Sequence, residues 1–92
     1  MKVRVYATLR PIVGSRCVVL RGNCETVKEA LDELIASYPA LSDRLLDQQG
    51  AVRPYVALML NGRDIRHLDG LNTAVGPDSE LDIFPPIAGG GA

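Results

Sequence analysis

The stretch "TVKEALDELIASYP" (26–39) decides the fold, because no other segment of the chain sustains a helical pattern of apolar residues. Thr26 and Glu29 have the spacing of a capping box, in which each side chain bonds a free backbone N–H of the first turn. The residues that share one apolar stripe are Val27, Ala30, Leu31, Leu34 and Ile35. Pro39 ends the helix. A helix with a single apolar face predicts that a sheet packs against it.

The segments on both sides of this helix alternate between apolar and polar residues, as strands with one buried face do. Strands are predicted over 2–7, 16–21, 55–60, 64–65 and 80–84. Pro11 and Gly14 mark a turn between the first two strands, and Asn61-Gly62 is a strong tight-turn signal. We expect a short helical segment over 40–46 and a loop over 67–77.

The order of these elements predicts an α+β domain. We expect a mixed sheet of four to five strands packed on one main helix, with the first and last strands parallel in the centre. This is the ubiquitin-like β-grasp. A ferredoxin-like sandwich is the alternative, but it needs a second long helix that the broken segment 67–77 does not supply. Residues 1–86 are predicted to form the domain, and residues 87–92 a flexible, Gly-rich tail.

Composition excludes several classes of function. Hydrophobic residues make up 47% of the 92, enough for a core, and ten basic side chains nearly cancel eleven acidic ones. This balance predicts neither a nucleic acid nor a membrane as partner. The sequence has no apolar run long enough to cross a bilayer, and its start, "MKVRVY", lacks the apolar region of a signal peptide. We therefore expect a cytoplasmic location.

The residue types that usually carry catalysis or bind metal are sparse. Cys17 and Cys24 do not have the spacing of a zinc site, and His67 is the sole histidine, so we expect no metal. Cys17 lies in an apolar run and is expected to be a small buried hydrophobe, with sulfur relay as the alternative. Cys24, in a loop, could be a reactive thiol, and His67 is expected to have no special task. The sequence shows no acid–base pair or nucleophile–histidine arrangement, so we expect that the chain is not itself an enzyme.

Strand alternation predicts which side chains lie on the sheet face away from the helix. In the last strand, residues 81 and 83 should face the helix, whereas Glu80, Asp82 and Phe84 should face outward. Arg4 of the first strand should then pair with Glu80 or Asp82 across the strands. These acids are expected to be solvated charges.

The same alternation places an apolar group on this open face. Tyr6, Met59 and Phe84 should form an exposed patch rimmed by charge, which suggests a docking surface for a partner. The alternative is that Phe84, the only phenylalanine in the chain, tucks under a loop.

The last segment, "PPIAGGGA" (85–92), has an unusual composition. Pro85 and Pro86 favour an extended stalk that holds the terminus away from the body. Gly89 to Gly91 have no side chain and can pass through a narrow channel. Activation by ATP would turn a glycine carboxylate into an acyl-adenylate open to attack. From the residues alone, a terminus inserted into another enzyme's active site and a frayed tail both remain possible.

The chain resembles the MoaD/ThiS family of ubiquitin-like sulfur carriers. The specific part of the resemblance is the "PPIAGG" ending, which follows the loop "GLNTAVGPDSE" and the strand "ELDIF". The start "VRVYATLRPIVG" and the segment "LMLNGRDIRHLDGL" are similar to the family's first strand and later hairpin. Phe84 falls where that family carries an aromatic residue at its partner interface.

This resemblance implies a carrier whose terminal glycine is adenylated by an enzyme related to ubiquitin-activating enzyme. The glycine then becomes a thiocarboxylate that donates sulfur in molybdopterin, cysteine or thionucleoside biosynthesis. Gly89 and Gly90 correspond to the family's diglycine, with Gly90 as the carrying residue and Gly91 as the alternative. The expected partner-binding residues are Tyr6, Met59, Phe84, Pro85, Pro86, Ile87 and Ala88. The chain would bind no cofactor, and the activating partner would use ATP.

The sequence departs from the family at its end, because Gly91 and Ala92 follow the matched diglycine. We expect a zinc metalloprotease to trim the chain; otherwise the protein would be inactive in sulfur transfer. The segment "YPALSDRLLDQQGAVRPYV" is more similar to carriers of the cysteine branch than to the shortest molybdopterin subunits. The alternative functions are a ubiquitin-like modifier conjugated to lysines and a non-catalytic interaction module with an inert tail.

Overall fold

The computed structural model describes residues 1–85 and shows a five-stranded mixed sheet with one main helix. The strands are β1 (Lys2–Val5), β2 (Cys17–Val19), β3 (Ala57–Leu60), β4 (Arg63–Asp64) and β5 (Glu80–Phe84). The helices are α1 (Arg10–Val13), α2 (Val27–Ser37) and α3 (Leu41–Leu45). The strand order is β2-β1-β5-β3-β4, with β1 and β5 parallel and the other pairs antiparallel. The predicted α+β, ubiquitin-like β-grasp is confirmed.

One hydrophobic core joins the inner face of the sheet to α2. The predicted apolar stripe of α2 is buried except for Ile35, which is half-buried. In β5, Leu81 and Ile83 are completely buried, as alternation predicts. Because a slip of one residue would turn these side chains outward, burial fixes the register that pairs Val5 with Ile83. It also fixes which residues of β1 and β5 face away from the core.

Helix α2 begins and ends where the sequence predicts. The Thr26 hydroxyl accepts a hydrogen bond from the Glu29 backbone N–H at 3.2 Å. The Glu29 carboxylate accepts one from the backbone N–H of Glu25 at 3.3 Å, one residue earlier than a capping box requires. Tyr38 caps the carboxyl end, and Pro39 follows it.

The tight turn between β3 and β4 connects to the central strand. Asn61 and Gly62 both have positive φ, 50° and 84°, which these residue types tolerate. The Asn61 side-chain oxygen accepts from the Glu80 N–H at 2.9 Å, and the Asn61 N–H donates to the Glu80 carbonyl at 2.8 Å. The turn therefore holds the start of β5.

The segment after β1 differs from the prediction. The first strand ends at Val5, and Ala7, expected on its inner face, is exposed with φ 52° and begins a 3₁₀ helix over Ala7–Leu9. The turn expected at Pro11 and Gly14 is the short helix α1. Proline fits its first turn, and Gly14 closes it with φ 82°.

Other element boundaries also differ from the prediction. Strands β2 and β3 are shorter than expected, and β4 ends at Asp64. Two 3₁₀ helices, Ile65–His67 and Gly70–Asn72, interrupt the expected loop. Because such helices span only about one turn, apolar periodicity is too short to indicate them.

The prediction for Cys17 is wrong, because the residue is exposed. Cys17 pairs with Arg4, so it lies on the open face of an edge strand. Its outer backbone groups are covered by Ser15, whose hydroxyl donates to the Cys17 carbonyl at 2.6 Å and accepts from its N–H at 3.2 Å. The Ser15 hydroxyl therefore satisfies the backbone N–H and carbonyl of Cys17, through which a further strand could otherwise pair with β2.

The division of the chain into residues 1–86 and 87–92 stays a prediction, because residues 86–92 lie outside those described. Among residues 1–85, no helix is long and apolar enough to cross a membrane.

Candidate docking surface at the end of the last strand

An aromatic pair lies where β5 delivers the chain to its last segment. The rings of Tyr6 and Phe84 stack with centroids 4.3 Å apart and planes at 14°. Phe84 is 37% exposed and Tyr6 is half-buried. Phe84 thus packs against Tyr6, and part of its surface is exposed to solvent. A stacked pair of this kind is worth about 0.5–1.5 kcal/mol beyond the area it buries.

Met59 lies on the same face of the sheet. In the antiparallel pairing of β3 with β5, Ala57 is opposite Phe84 and Met59 is opposite Asp82. Met59 and Ala57 are both half-buried. We call Tyr6, Met59 and Phe84 the exit patch. Tyr6 and Phe84 stack, and Met59 lies two cross-strand pairs away from Phe84 along the sheet.

Asp82 connects the exit patch to the charges around it. Its Oδ1 accepts from Arg4 Nε at 2.7 Å and from the Tyr6 hydroxyl at 2.8 Å. Arg4 also pairs with Glu80 at 2.9 Å. The sequence predicts that Arg4 pairs with Glu80 or Asp82, and in the structure it pairs with both. The Asp82 side chain is only 13% exposed, so the expectation that it is a solvated charge is wrong.

This network changes the acidity of Tyr6. The hydrogen bond to Asp82, followed by burial, raises the pKa of the Tyr6 phenol above its usual range. The same carboxylate raises the pKa of the Arg4 guanidinium. Tyr6 therefore remains a protonated donor, and its hydroxyl is held on Asp82.

Arg10 is a contact that the sequence did not indicate. Its guanidinium carbon lies 5.6 Å from the centre of the Tyr6 ring, within range of a cation–π contact. Its Nε donates to the Val5 carbonyl at 3.3 Å. Pro11 and Gly14 predict a turn, whereas Arg10 begins the helix α1, and its side chain lies over the Tyr6 ring.

Pro85 does not stand away from the body as predicted. It is buried and lies in the wall of a groove formed also by Thr8, Leu9, Asp43, Arg44, Arg53 and Tyr55. The stalk predicted for Pro85 and Pro86 therefore does not include Pro85. The other predicted residues of the tail lie outside the described residues: Pro86, Ile87, Ala88, Gly89, Gly90 and Gly91.

The two cysteines have different surroundings. Cys24 is half-buried, and its thiol donates to Glu33 Oε2 at 3.1 Å. Burial, with a smaller contribution from Glu33, raises the pKa of Cys24 to about 11. Because the thiolate is the reactive form, these surroundings disfavour the reactive thiol considered for Cys24. His67 is exposed, and the side chains described here include no group of three or more that could hold a metal ion.

The chain thus forms a β-grasp domain with a stacked aromatic pair where its last strand ends. The profile of the ThiS family matches residues 3–90, and the chain belongs to that family. The resemblance to MoaD/ThiS proteins drawn from the sequence is thus confirmed.

Similar proteins include both modifiers and sulfur carriers. The chain is 38% identical over 91 residues to small archaeal modifier protein 3 of Haloferax volcanii, covering 98% of each. It is 31% identical over 90 residues to the sulfur carrier protein CysO of Mycobacterium tuberculosis, covering 96% of each. The crystal structure of the Amycolatopsis orientalis BexX/CysO complex contains a similar chain, with a TM-score of 0.83 and 26% identity. That match covers 96% of this chain and 97% of the other.

Proposed function

We propose that the chain is a sulfur carrier whose terminal glycine becomes a thiocarboxylate. The observation that carries this proposal is the stacked Tyr6–Phe84 pair, partly open to solvent at the base of the tail. In this proposal the chain is not an enzyme itself and binds no cofactor. It acts in the cytoplasm as the co-substrate of partner enzymes.

The chemistry requires two transfers at the terminal carboxyl group. In the first, a carboxylate oxygen attacks the α-phosphorus of ATP, the bond to pyrophosphate breaks, and an acyl-adenylate forms on a ubiquitin-activating-like adenylyltransferase. In the second, a sulfur nucleophile attacks the acyl carbon and AMP leaves with its bonding electrons. When the nucleophile is hydrosulfide, the product is a thiocarboxylate on the carrier, and no sulfur atom changes oxidation state.

The residue that carries the sulfur is Gly90, with Gly91 as the alternative. In the family pattern the chain ends on the diglycine, whereas here Gly91 and Ala92 follow it, so the last carboxyl group belongs to an alanine. We therefore infer that Gly91 and Ala92 are first removed, and a processing metalloprotease is the candidate for this step. Without a side chain, Gly90 offers the least hindered carbonyl to the nucleophile.

The exit patch can bring this terminus to an enzyme. Gly90 is the sixth residue after Phe84, so its carboxyl group can reach at most about 20 Å from the patch. A partner that binds Tyr6 and Phe84 would hold the carboxyl group at a high local concentration. The BexX/CysO complex is a precedent for a similar chain held by another protein.

The second candidate is a ubiquitin-like modifier. It is favoured by the 38% identity to a protein named a small archaeal modifier. Activation would be the same, but a lysine amine would attack the acyl carbon, so that an isopeptide bond forms. The two functions differ in the final nucleophile and are compatible in one protein.

The direct test of activation is pyrophosphate exchange with ATP, catalysed by the adenylyltransferase of the same organism. The chain ending at Gly90 should support exchange, whereas chains ending at Ala88 and at Ala92 should not. Equal exchange with all three would contradict a role for the terminal glycine. If the chain ending at Ala88 also replaces the native chain in cells, the protein is an interaction module with an inert tail.

A second experiment separates carrier from modifier. Cells that express an epitope-tagged chain are examined for adducts of higher mass that survive boiling in reductant. Isopeptide-linked adducts that disappear when Gly90 is removed support the modifier. A free thiocarboxylate without adducts supports the carrier, and the nutrient that rescues a deletion strain then distinguishes molybdopterin, cysteine and thionucleoside synthesis.

A further inference from the structure

Asp82 occupies an unusual place for a carboxylate. It lies in β5, the central strand, on the sheet face away from the core, and is only 13% exposed. Burial of this degree is unfavourable for a charge unless hydrogen bonds replace its water. Arg4 and Tyr6 supply these bonds at 2.7 and 2.8 Å.

The ion pair between Arg4 and Glu80 adds little stability to the network. Arg4 and Glu80 are each 44% exposed, and ion pairs at such exposure contribute little. The hydrogen bond from Tyr6 has a different consequence. Tyr6 follows the last residue of β1, and the bond to Asp82 fixes the hydroxyl end of its side chain.

Three contacts hold the Tyr6 ring. Asp82 fixes the hydroxyl, Phe84 stacks on the ring at 4.3 Å, and Arg10 lies over the ring at 5.6 Å. Of these, the hydrogen bond to Asp82 depends most strongly on direction. Asp82 and Phe84 are also two residues apart on the same face of β5, so the strand itself fixes the distance between the acceptor and the stacking ring.

We propose that Asp82 is a positioning residue, which holds Tyr6 against Phe84 so that the exit patch is presented to the activating enzyme in one arrangement. This inference rests on the proposed function. A side chain that is already ordered loses less entropy on binding, so Asp82 increases the affinity of the exit patch without itself contacting the partner. The surface of the activating enzyme that contacts the Tyr6 and Phe84 rings should be apolar, because Asp82 and Glu80 already neutralise the charge of Arg4.

The test uses Tyr6→Phe, Asp82→Ala and the double variant in the chain that supports pyrophosphate exchange. Tyr6→Phe removes one oxygen and keeps the ring, so folding is not at risk. The matched controls are Tyr38→Phe, whose hydroxyl makes no hydrogen bond within residues 1–85, and Asp78→Ala, which is exposed in the turn before β5.

Each single variant should raise KM for the carrier up to about tenfold, with kcat unchanged, since releasing one side chain loses about that much affinity. The double variant should be no worse than Asp82→Ala alone, because that substitution already removes the bond from Tyr6 as well as the bond from Arg4. In nuclear magnetic resonance spectra, the Phe84 ring protons should lose their ring-current shift in Asp82→Ala. The controls should match the original chain in KM and in the spectra.

An unchanged KM in both single variants, additive effects in the double variant, or an unchanged Phe84 spectrum in Asp82→Ala would each overturn the inference. If the original chain supports no exchange, the proposed function fails instead. The Phe84 spectrum then still shows whether Asp82 orders the pair.

Discussion

Replacing Phe84 by alanine should weaken both the fold and the proposed docking, and the structure sets the size of the first effect. Phe84 is 37% exposed, so roughly 130 Å² of a side chain of about 200 Å² is buried. At about 25 cal/mol per Å², this area corresponds to about 3 kcal/mol as an upper value. Since alanine keeps one carbon, we expect a loss of about 2 kcal/mol. The variant should remain folded, because a 92-residue domain has a free energy of unfolding of roughly 5–14 kcal/mol.

The second effect is a loss of affinity for the activating enzyme. An aromatic residue at the centre of an interface contributes about 2 kcal/mol or more, which is about thirtyfold in affinity. Urea unfolding measures the first effect, and titration calorimetry with the enzyme measures the second. Val19→Ala is the control, because Val19 is 57% exposed on the same face at the far edge of the sheet, where we expect neither effect. Loss of stability without loss of affinity would refute the assignment of the exit patch as a docking surface.

Three further predictions concern other parts of the molecule. Thr26→Ala should lower the free energy of unfolding by about 1 kcal/mol, measured by urea unfolding, because α2 loses its amino-terminal cap; no change would mean that water replaces the hydroxyl at no loss. Ser15→Ala should leave the unfolding free energy nearly unchanged but promote self-association, measured by analytical ultracentrifugation, because the outer backbone groups of Cys17 become free to pair; a variant that stays monomeric at high concentration would contradict this. The pKa of Cys24 is raised from 9.0 to about 11, so the folded state holds this proton more tightly than the unfolded state. Its contribution to stability should be complete below pH 9 and should be lost as the pH rises through 11, whereas Cys24→Ala should lack this decline; parallel pH profiles would show that the thiol is not the cause.

Much of the fold could be predicted because it depends on local patterns and burial. The stripe of α2, the alternation of β5 and the pair Asn61-Gly62 each belong to one element whose periodicity or turn chemistry is visible in the sequence. Charge complementarity across neighbouring strands likewise predicted a partner for Arg4. The recognition of the family depended on the ending, which carries the most specific motif.

The parts that could not be predicted depend on tertiary contacts. Cys17 lies in a valine-rich run, but the run forms an edge strand, so alternate residues face solvent. The burial of Asp82 follows from its contacts with Arg4 and Tyr6. Arg10 reaches the Tyr6 ring from the helical segment 10–13. Proline favours an extended exit, so Pro85 is expected to begin a stalk, whereas the groove around it includes side chains from α3 and from the 3₁₀ helix Ala7–Leu9.

The central claim is that a processed carboxyl-terminal glycine carries sulfur, and the intact mass of the protein purified from its own organism tests it most directly. The account predicts a chain shortened by Gly91 and Ala92, a fraction of which shows the mass gain of one sulfur in place of one oxygen. The full-length recombinant chain is the reference. An unmodified chain that still ends at Ala92 under all growth conditions would contradict the account.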